Sequence, residues 1–268
     1  MSIITLLTDF GVEDEYVGIM KGVILSIAPS ARIIDITHQI EPQDLVRAAY
    51  ITKYSYRYFP RGAVHAVVVD PGVGTSRSIL ALEIKGHIFL APDNGILTLL
   101  MDSETVDTMI RVDNREYFLE SVSRTFHGRD IFAPVAAHLA NGVAIKKLGP
   151  PADPKQLARL PIQYPAVSNR GELIGFIVSI DRFGNLITNI DWESLEKFCR
   201  TGTGKTPEIT IAGRKITGLS RSYENVKPKN PLMIIGSRGC IEIAVNRGSA
   251  RLHFMAEKGD KVKLTFSG

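Results

Sequence analysis

Short apolar runs alternate with helical segments at the start of the chain. Ile3–Thr8, Arg32–Thr37 and Val64–Val69 are compact runs rich in apolar residues, which is typical of buried strands. Glu13–Ile27 and Asp44–Tyr58 lie between them and have helical character. This β-α-β-α-β order predicts an α/β N-terminal domain, with a mostly parallel sheet flanked by helices.

The following segments predict a hairpin and two more helices. Ile79–Ile84 and His87–Ala91 are joined by a Lys-Gly turn, so we expect them to pair as antiparallel strands. Ile96–Met101 follows a Pro-Asp-Asn-Gly turn and is expected to be helical. A later helix is predicted at Ile131–Ala140, and Asp130 before it is a candidate N-cap.

The proline-rich stretch Gly149–Tyr164 marks a change of periodicity and is expected to be a linker. After it, short strands separated by Gly, Asn and Lys turns dominate, and one helix is predicted at Trp192–Phe198. The predicted strands are Glu172–Ile180, Leu186–Ile190, Glu208–Ile211, Leu232–Ile235, Cys240–Val245 and Lys261–Phe266. The sequence therefore predicts two domains, an α/β domain over residues 1–160 and a smaller all-β C-terminal domain over residues 168–268.

Polar residues follow the predicted strands of the first domain. They are Asp9, His38, Asp70 and Asp93. The carboxyl ends of parallel strands meet at one edge of an open α/β sheet, and ligands bind there. Each residue alone fits ordinary turn chemistry, but the four together predict a functional edge.

Ala66–Arg77 is the strongest candidate for chemistry. Its apolar run stops at Asp70, passes through a Pro-Gly-Val-Gly turn and then reaches Arg77. A nearby cation keeps a carboxylate ionised, so this pair is suited to orient water or to accept its proton. His127 is a candidate to orient the same water or to relay the proton. We therefore predict that Asp70, Arg77 and His127 are catalytic.

Polar turns of the second domain are candidates for ligand binding. Phe183 and Asn185 stand in one turn, and Tyr223 stands in another. Ser237 lies in a third turn, between two predicted strands. Aromatic faces with amide and hydroxyl groups suit a purine base, through stacking and hydrogen bonds to its edge. Asp9 suits a ribose diol, because a carboxylate accepts from both hydroxyls.

Composition narrows the class of protein. The 268-residue chain is 44% hydrophobic and 22% charged, and its net charge of +4 is dispersed, which favours a globular protein that binds no nucleic acid. Two cysteines without metal spacing suit a reducing cytoplasm. The N-terminus lacks the basic region of a signal peptide, and no apolar run approaches the ~20 residues of a membrane span. We therefore expect a cytoplasmic protein with no membrane partner.

The sequence contains no complete motif for binding a cofactor or a metal. The Gly-Val-Gly after Asp70 lacks the third glycine of a dinucleotide fingerprint, because an arginine stands at that position. We expect no cofactor and no metal. A metal-dependent hydrolase remains an alternative, with nitrogen and oxygen ligands from His38, Asp70, His127 and Asp130.

A set of motifs in a fixed order carries a family resemblance. The motifs are LTDFG, VDPGVGT-x-R, FHGRD, D-x-FGN and SRG-x-x-E-I-A-x-N, between Ile4 and about Asn246. With them the chain resembles the S-adenosyl-L-methionine (SAM) hydroxide adenosyltransferases, SAM hydrolases related to the bacterial fluorinase and chlorinase. The resemblance implies hydrolysis of SAM to adenosine and L-methionine. It also implies a homotrimer, with SAM between the N-terminal domain of one subunit and the C-terminal domain of its neighbour.

The resemblance also implies roles for individual residues. The catalytic set of the family falls on Asp70, Arg77 and His127, and its ribose-binding acid falls on Asp9. Contacts with adenine and methionine fall on Phe183, Asn185, Tyr223, Ser237, Arg238, Glu242 and Val245.

Fluorinase differs from this chain at informative positions. It has tyrosines where Asp70 and His127 stand, and a serine where Gly128 stands. A carboxylate at position 70 repels halide anions, so Asp70 favours water as the nucleophile.

A non-catalytic protein that binds SAM or adenosine is a further alternative.

Overall fold

The computed structural model describes residues 2–202 and 204–267, in two units, Met1–Pro161 and Ile162–Gly268. The boundary between the units falls in the proline-rich stretch, where prolines lack the N–H groups that regular pairing needs. Each unit has hydrophobic clusters of its own.

The first unit is an open sheet between helices, with the strand order β2-β1-β3-β5-β4-β6. Its strands are β1 (Ile3–Thr8), β2 (Arg32–Thr37), β3 (Val64–Val68), β4 (Ile79–Ile84), β5 (His87–Pro92) and β6 (Thr108–Arg111). Its α-helices are α1 (Tyr16–Ile27), α2 (Leu45–Ser55), α3 (Thr98–Ser103) and α4 (Ala133–Ala140). Short 3₁₀ turns stand at Tyr56–Tyr58, Arg115–Tyr117, Ile145–Leu148 and Pro154–Gln156.

The pairing of these strands is mixed. β2, β1, β3 and β5 are parallel neighbours, whereas β4 pairs antiparallel with both β5 and β6. The predicted hairpin is confirmed, but a mostly parallel sheet is not. The cause is the two-residue connection, because Lys85 and Gly86 have φ of 51° and 77° and thus form the tight turn that joins antiparallel strands.

Alternate residues of the central strands face two helical layers. Leu6 and Val68 pack into the cluster that contains α1 and α4 residues. Leu7 and Val67 pack into the cluster on the other face, with residues of α2 and α3. The central strands are therefore apolar on both faces, which explains their continuous apolar runs.

The helix after His127 departs from the prediction. It begins as a π-helical turn, Gly128–Phe132, and continues as α4, so Asp130 lies inside the turn and does not cap it. Asp130 is fully buried and accepts hydrogen bonds from the Ser123 N–H (2.7 Å) and the Arg129 Nε (2.6 Å). The carboxylate therefore ties the preceding loop to the start of the helix.

The second unit is largely strand, with the order β11-β10-β15-β8-β9-β14-β13-β12 and with β7 paired to β8. Its strands are β7 (Ala166–Val167), β8 (Leu173–Ile180), β9 (Leu186–Asp191), β10 (Pro207–Ile211), β11 (Arg214–Thr217), β12 (Leu219–Ser220), β13 (Pro231–Ile235), β14 (Cys240–Val245) and β15 (Lys261–Phe266). Its helical segments are α5 (Trp192–Thr201), α6 (Ala250–Phe254) and a 3₁₀ turn at Tyr223–Asn225. Among the described residues, no helix combines the length and the apolar character needed to cross a membrane.

A buried histidine pair joins neighbouring strands of the first unit. His65 Nδ1 lies 2.8 Å from Thr5 Oγ1, and His65 Nε2 lies 3.2 Å from His87 Nδ1. The His65 ring also stacks on Phe89, with 4.9 Å between the ring centroids. Burial, reinforced by His87, lowers the pKa of His65 to about 3. The folded protein therefore holds His65 neutral.

We expect the folded protein to lose stability as the pH falls below 6.5. The unfolded chain protonates His65 near pH 6.5, whereas the folded chain does so only near pH 3. Each pH unit within that interval thus lowers the free energy of unfolding by up to about 1.4 kcal/mol. Urea unfolding followed by circular dichroism measures this slope. His65→Asn, which keeps an acceptor for Thr5, should give a shallower slope, and an unchanged slope would contradict the assignment.

Candidate active site

Two carboxylates follow neighbouring strands at one edge of the first sheet. β1 and β3 are parallel and in register, and Asp9 and Asp70 come just after them. His38 follows β2, and Asp93 follows β5, which are parallel to this pair. The four polar residues therefore stand at the carboxyl edge, as the sequence predicts.

Two of these four residues contact other side chains or backbone groups of the first unit. His38 is buried, with its Nδ1 2.9 Å from Thr8 Oγ1. Its Nε2 lies 3.1 Å from Asp35 Oδ1, a close contact without hydrogen-bond alignment. Asp93 accepts a hydrogen bond from the Ala158 N–H (3.0 Å). These contacts give His38 and Asp93 structural partners.

A tight loop returns Arg77 to Asp70. The Val73 N–H donates to the Asp70 carbonyl (3.2 Å), which closes a turn directly after the strand. Gly74 has φ of 78°, and a side chain there would collide with the Arg124 backbone. The Pro-Gly-Val-Gly sequence is therefore what allows the chain to reverse within this short distance.

Arg77 contacts both carboxylate oxygens of Asp70. Its Nε lies 2.8 and 2.9 Å from the two carboxylate oxygens, and its Nη2 contacts Oδ2. The two side chains are only 9% and 5% exposed, and a buried pair of this kind resists separation. Asn94, which the sequence did not single out, donates from Nδ2 to the Val69 carbonyl (2.8 Å) and so fixes the chain just before Asp70.

His127 joins this pair through the arginine. Arg77 Nη2 lies 2.9 Å from His127 Nδ1. A guanidinium only donates hydrogen bonds, so Nδ1 accepts, and the imidazole is neutral with its proton on Nε2. Burial and the charge of Arg77 lower the pKa of His127, whereas Asp70 and a hydrogen bond to the Ser123 backbone oppose them. His127 is thus an uncharged acceptor that helps to hold the guanidinium.

Asp9 is held by an unusual backbone conformation. Its Oδ2 accepts a hydrogen bond from the Gln43 N–H (2.9 Å). Gln43 has φ of 67°, a left-handed conformation that is unfavourable for a residue with a side chain. This contact does not depend on the Gln43 side chain, because the donor is its backbone N–H.

Gly128 lies in a tightly packed site. A Cβ atom there would come within 3.0 Å of Phe126, 3.1 Å of Met20 and 3.2 Å of Phe10. Phe10 and Phe126 also pack edge to face, with 5.9 Å between their centroids. The position next to His127 is therefore fixed by packing.

In the second unit, Asp181 organises the turn between β8 and β9. Its Oδ1 accepts from the N–H groups of Phe183 and Asn185, both at 2.9 Å. Its Oδ2 accepts from Asn185 Nδ2 at 2.9 Å. Phe183 is 77% exposed on this rigid turn, so its face is open to stacking. Asp181 was not among the predicted site residues, although aspartate two positions before a turn residue is a known turn signal.

Tyr223, Arg238 and Glu242 belong to a second polar group of this unit. The Tyr223 hydroxyl donates to Glu242 Oε1 (2.6 Å), and this bond with burial raises the pKa of Tyr223 to about 12. Burial raises the pKa of Glu242, and the negative Asp181 adds to the effect. Arg238 Nη1 donates to Ser179 Oγ (2.8 Å). The influence of Asp181 on both Tyr223 and Glu242 indicates that this group lies close to the Phe183 turn.

Ser237 and Val245 occupy contrasting places. Ser237 is exposed in the turn between β13 and β14. Val245 is 6% exposed and packs in the hydrophobic cluster of the second unit. Ser237 is therefore free to contact a ligand directly, whereas the Val245 side chain supports the strand beneath.

The suggested metal ligands are not gathered into one site. Asp70 and His127 meet through Arg77, while His38 and Asp130 have separate partners. Within residues 2–202 and 204–267, no group of three or more His, Cys, Asp or Glu side chains is placed to hold a metal ion.

We expect His127 to stay neutral as the pH falls through 6.5, because Arg77 and burial lower its pKa. Arg77→Gln removes the positive charge and should raise the pKa of His127. Long-range ¹H–¹⁵N NMR of the imidazole gives both the titration and the tautomer, which should carry its proton on Nε2.

Arg111→Gln is the matched control for this titration, since Arg111 is an exposed arginine whose ion pair is with Asp113. A similar rise of the His127 pKa in both variants, or a proton on Nδ1 in the unmodified protein, would contradict the arrangement.

Comparison with known proteins covers nearly the whole chain. Residues 4–149 match the model of the SAM hydroxide adenosyltransferase N-terminal domain, and residues 175–263 match that of the C-terminal domain. An (R)-S-adenosyl-L-methionine hydrolase from Thermus thermophilus is 37% identical, over 96% of this chain and 97% of the relative. A fluorinase from Actinopolyspora mzabensis is 26% identical, over 99% of this chain and 97% of the fluorinase.

A solved structure agrees with these matches. The crystal structure of an uncharacterized conserved protein from Thermotoga maritima aligns with a TM-score of 0.90 and 36% identity, covering 98% of this chain and 99% of that one. With both domain models matched in order, the chain belongs to the SAM hydroxide adenosyltransferase family.

Proposed function

We propose that this protein hydrolyses SAM to adenosine and L-methionine by attack of water or hydroxide on ribose C5′. The observation that carries the proposal is the carboxylate of Asp70 at the carboxyl edge of the sheet, where both of its oxygens accept hydrogen bonds from Arg77. Family membership and the hydrolase names of full-length relatives support the same reaction.

The chemistry requires a nucleophile aligned opposite the C5′–S bond. The sulfonium is a good leaving group, so the protein mainly has to position water and remove its proton. An O–C5′ bond forms, and the C5′–S bond breaks with its electrons going to sulfur, which becomes the neutral thioether of methionine. The water proton passes to Asp70 and then to solvent.

Each member of the cluster has a distinct part in this step. Asp70 is the proton acceptor, since a carboxylate keeps acceptor positions beyond those that Arg77 uses. Arg77 orients the Asp70 carboxylate and stabilises hydroxide character at the water. His127 is neutral and positions the guanidinium. The negative charge of Asp70 disfavours halide, which supports water as the nucleophile.

The substrate-binding residues remain those that the sequence predicts. We propose that Asp9 binds the ribose hydroxyls through its carboxylate. The exposed faces of Phe183 and Tyr223 suit stacking with adenine. The remaining polar contacts would come from Asn185, Ser237, Arg238 and Glu242, and Val245 would shape the pocket from the core.

We expect Asp70→Ala to lower kcat at least ~100-fold while SAM still binds, as for loss of a proton-accepting group. His127→Ala should also lose at least ~100-fold, because Arg77 loses its second partner. Release of adenosine and methionine from SAM, measured by chromatography, checks both variants. Glu196→Ala, which removes an exposed carboxylate paired with Arg200, is the control and should keep normal turnover.

His127→Gln separates positioning from proton relay. Glutamine offers Arg77 an acceptor but does not relay protons, so it should recover at least about tenfold of the activity lost in His127→Ala. Equal loss in the two variants would show that His127 moves a proton. If the unmodified protein bound adenosine tightly but released no product from SAM, it would be a binding protein and not a hydrolase.

We also propose that the protein acts as a homotrimer whose active sites are shared between subunits, as the family resemblance implies. The predicted catalytic residues belong to the first unit, while most predicted adenine and methionine contacts belong to the second. The cytoplasmic location, expected from cysteine usage, and the absence of a cofactor stay predictions.

Mixed assemblies test this sharing. Asp70→Ala and a Phe183→Ala/Asn185→Ala double variant are co-expressed with different tags, and doubly tagged protein is isolated. If sites combine two subunits of a trimer, each mixed trimer has one intact site, and activity should return to about a third of normal. Activity as low as that of the separate variants would contradict shared sites, while leaving hydrolysis by the unmodified protein unaffected.

A further inference from the structure

A cavity of about 450 Å³ opens beside the catalytic cluster of the first unit. Arg77 and His127 form part of its wall, so it adjoins the groups that hold Asp70. Its other walls come from the chain just before β4, the end of β6 and the segment that follows β6. The proposed hydrolysis makes no use of these additional walls.

Cationic side chains dominate the lining. Arg77, Arg111 and Arg115 all line the cavity, against one carboxylate, Asp113. Asp113 pairs with Arg111 Nη2 (3.3 Å) and Asp70 pairs with Arg77, so the net positive charge at the cavity comes from Arg115. Within the described parts of the chain, Arg115 forms no ion pair. The field in the cavity therefore attracts anions and not the sulfonium of SAM.

The guanidinium of Arg77 has donor capacity left. Its Nε and Nη2 are engaged by Asp70 and His127. Over the residues that the structure describes, Nη1 makes no hydrogen bond. Ser76 and Ser78, on either side of Arg77, add hydroxyl donors to the lining.

Guanidinium groups beside hydroxyls are the donor set that recognises a tetrahedral oxyanion. The volume falls in the range of small-molecule sites, roughly 300–1,000 Å³, and exceeds what one phosphate ion needs. Apolar walls from Ile79, Val112 and Phe118 suit the body of an ester. We propose that this cavity binds a phosphate group, supplied by inorganic phosphate or by a small phosphate ester, against Arg77, Arg111 and Arg115.

Calorimetric titration with inorganic phosphate tests the site in the absence of SAM, so its result is independent of hydrolysis. Ionic strength is held constant with sodium chloride. We expect one saturable site with Kd of about 1 mM or tighter. Phosphate should also shift the imidazole NMR signals of His127, because the anion would sit against Arg77.

Arg115→Ala should weaken phosphate binding at least about tenfold, as for loss of a charge-assisted hydrogen bond. Arg115 is exposed, so folding should be preserved, and circular dichroism verifies it. Arg32→Ala, which removes an exposed arginine at the start of β2, is the matched control and should bind normally.

Phenyl phosphate separates the two sources of the phosphate group. If phenyl phosphate binds more tightly than inorganic phosphate, the natural ligand is a phosphate ester whose body packs against Phe118. If the two bind equally, the ligand is inorganic phosphate. Absence of saturable binding at constant ionic strength would overturn the proposal. So would an Arg115→Ala protein that binds phosphate as well as the Arg32→Ala control.

Discussion

The contact of one guanidinium with two neighbours organises the candidate active site of the first unit. Arg77 reaches both oxygens of Asp70 and one nitrogen of His127. Because a guanidinium has no acceptor, the Asp70 oxygens and His127 Nδ1 must all accept its hydrogen bonds, and this acceptor role leaves the imidazole proton on Nε2. The loop that precedes Arg77, the buried carboxylate of Asp130 and the amide of Asn94 all serve to keep this contact in place.

The strands and helices are predictable from the sequence wherever the pattern of apolar residues in a segment fits only one kind of element. β1 and β2 have the predicted bounds, because the alternation between strand and helix is strong there. β11 and β12 escape prediction because they are short and partly polar, and only pairing with neighbours defines them. The π-helical turn at Gly128–Phe132 was equally hidden, since its extra residue depends on the packing around it.

The candidate site divides in the same way. The contact between Asp70 and Arg77 can be expected from sequence because the loop between them is short and its glycines leave few alternatives. The contacts that Gln43 and Asn94 make are not found, because Gln43 uses its backbone N–H to reach Asp9 and Asn94 reaches the Val69 carbonyl, both far away in the chain. The link from Arg77 to His127 spans fifty positions, and only the fold shows that the imidazole meets the guanidinium and not the carboxylate directly.

The close packing at Gly128 bears on how the family has diversified. Fluorinase carries a serine at this position, whereas here Phe126, Met20 and Phe10 pack closely around the glycine. A serine Cβ would lie 3.0–3.2 Å from these side chains, so they would have to shift slightly to accommodate it. An exchange at this position is therefore coupled to the side chains packed behind it, and the outcome for the active site depends on how far those side chains can shift.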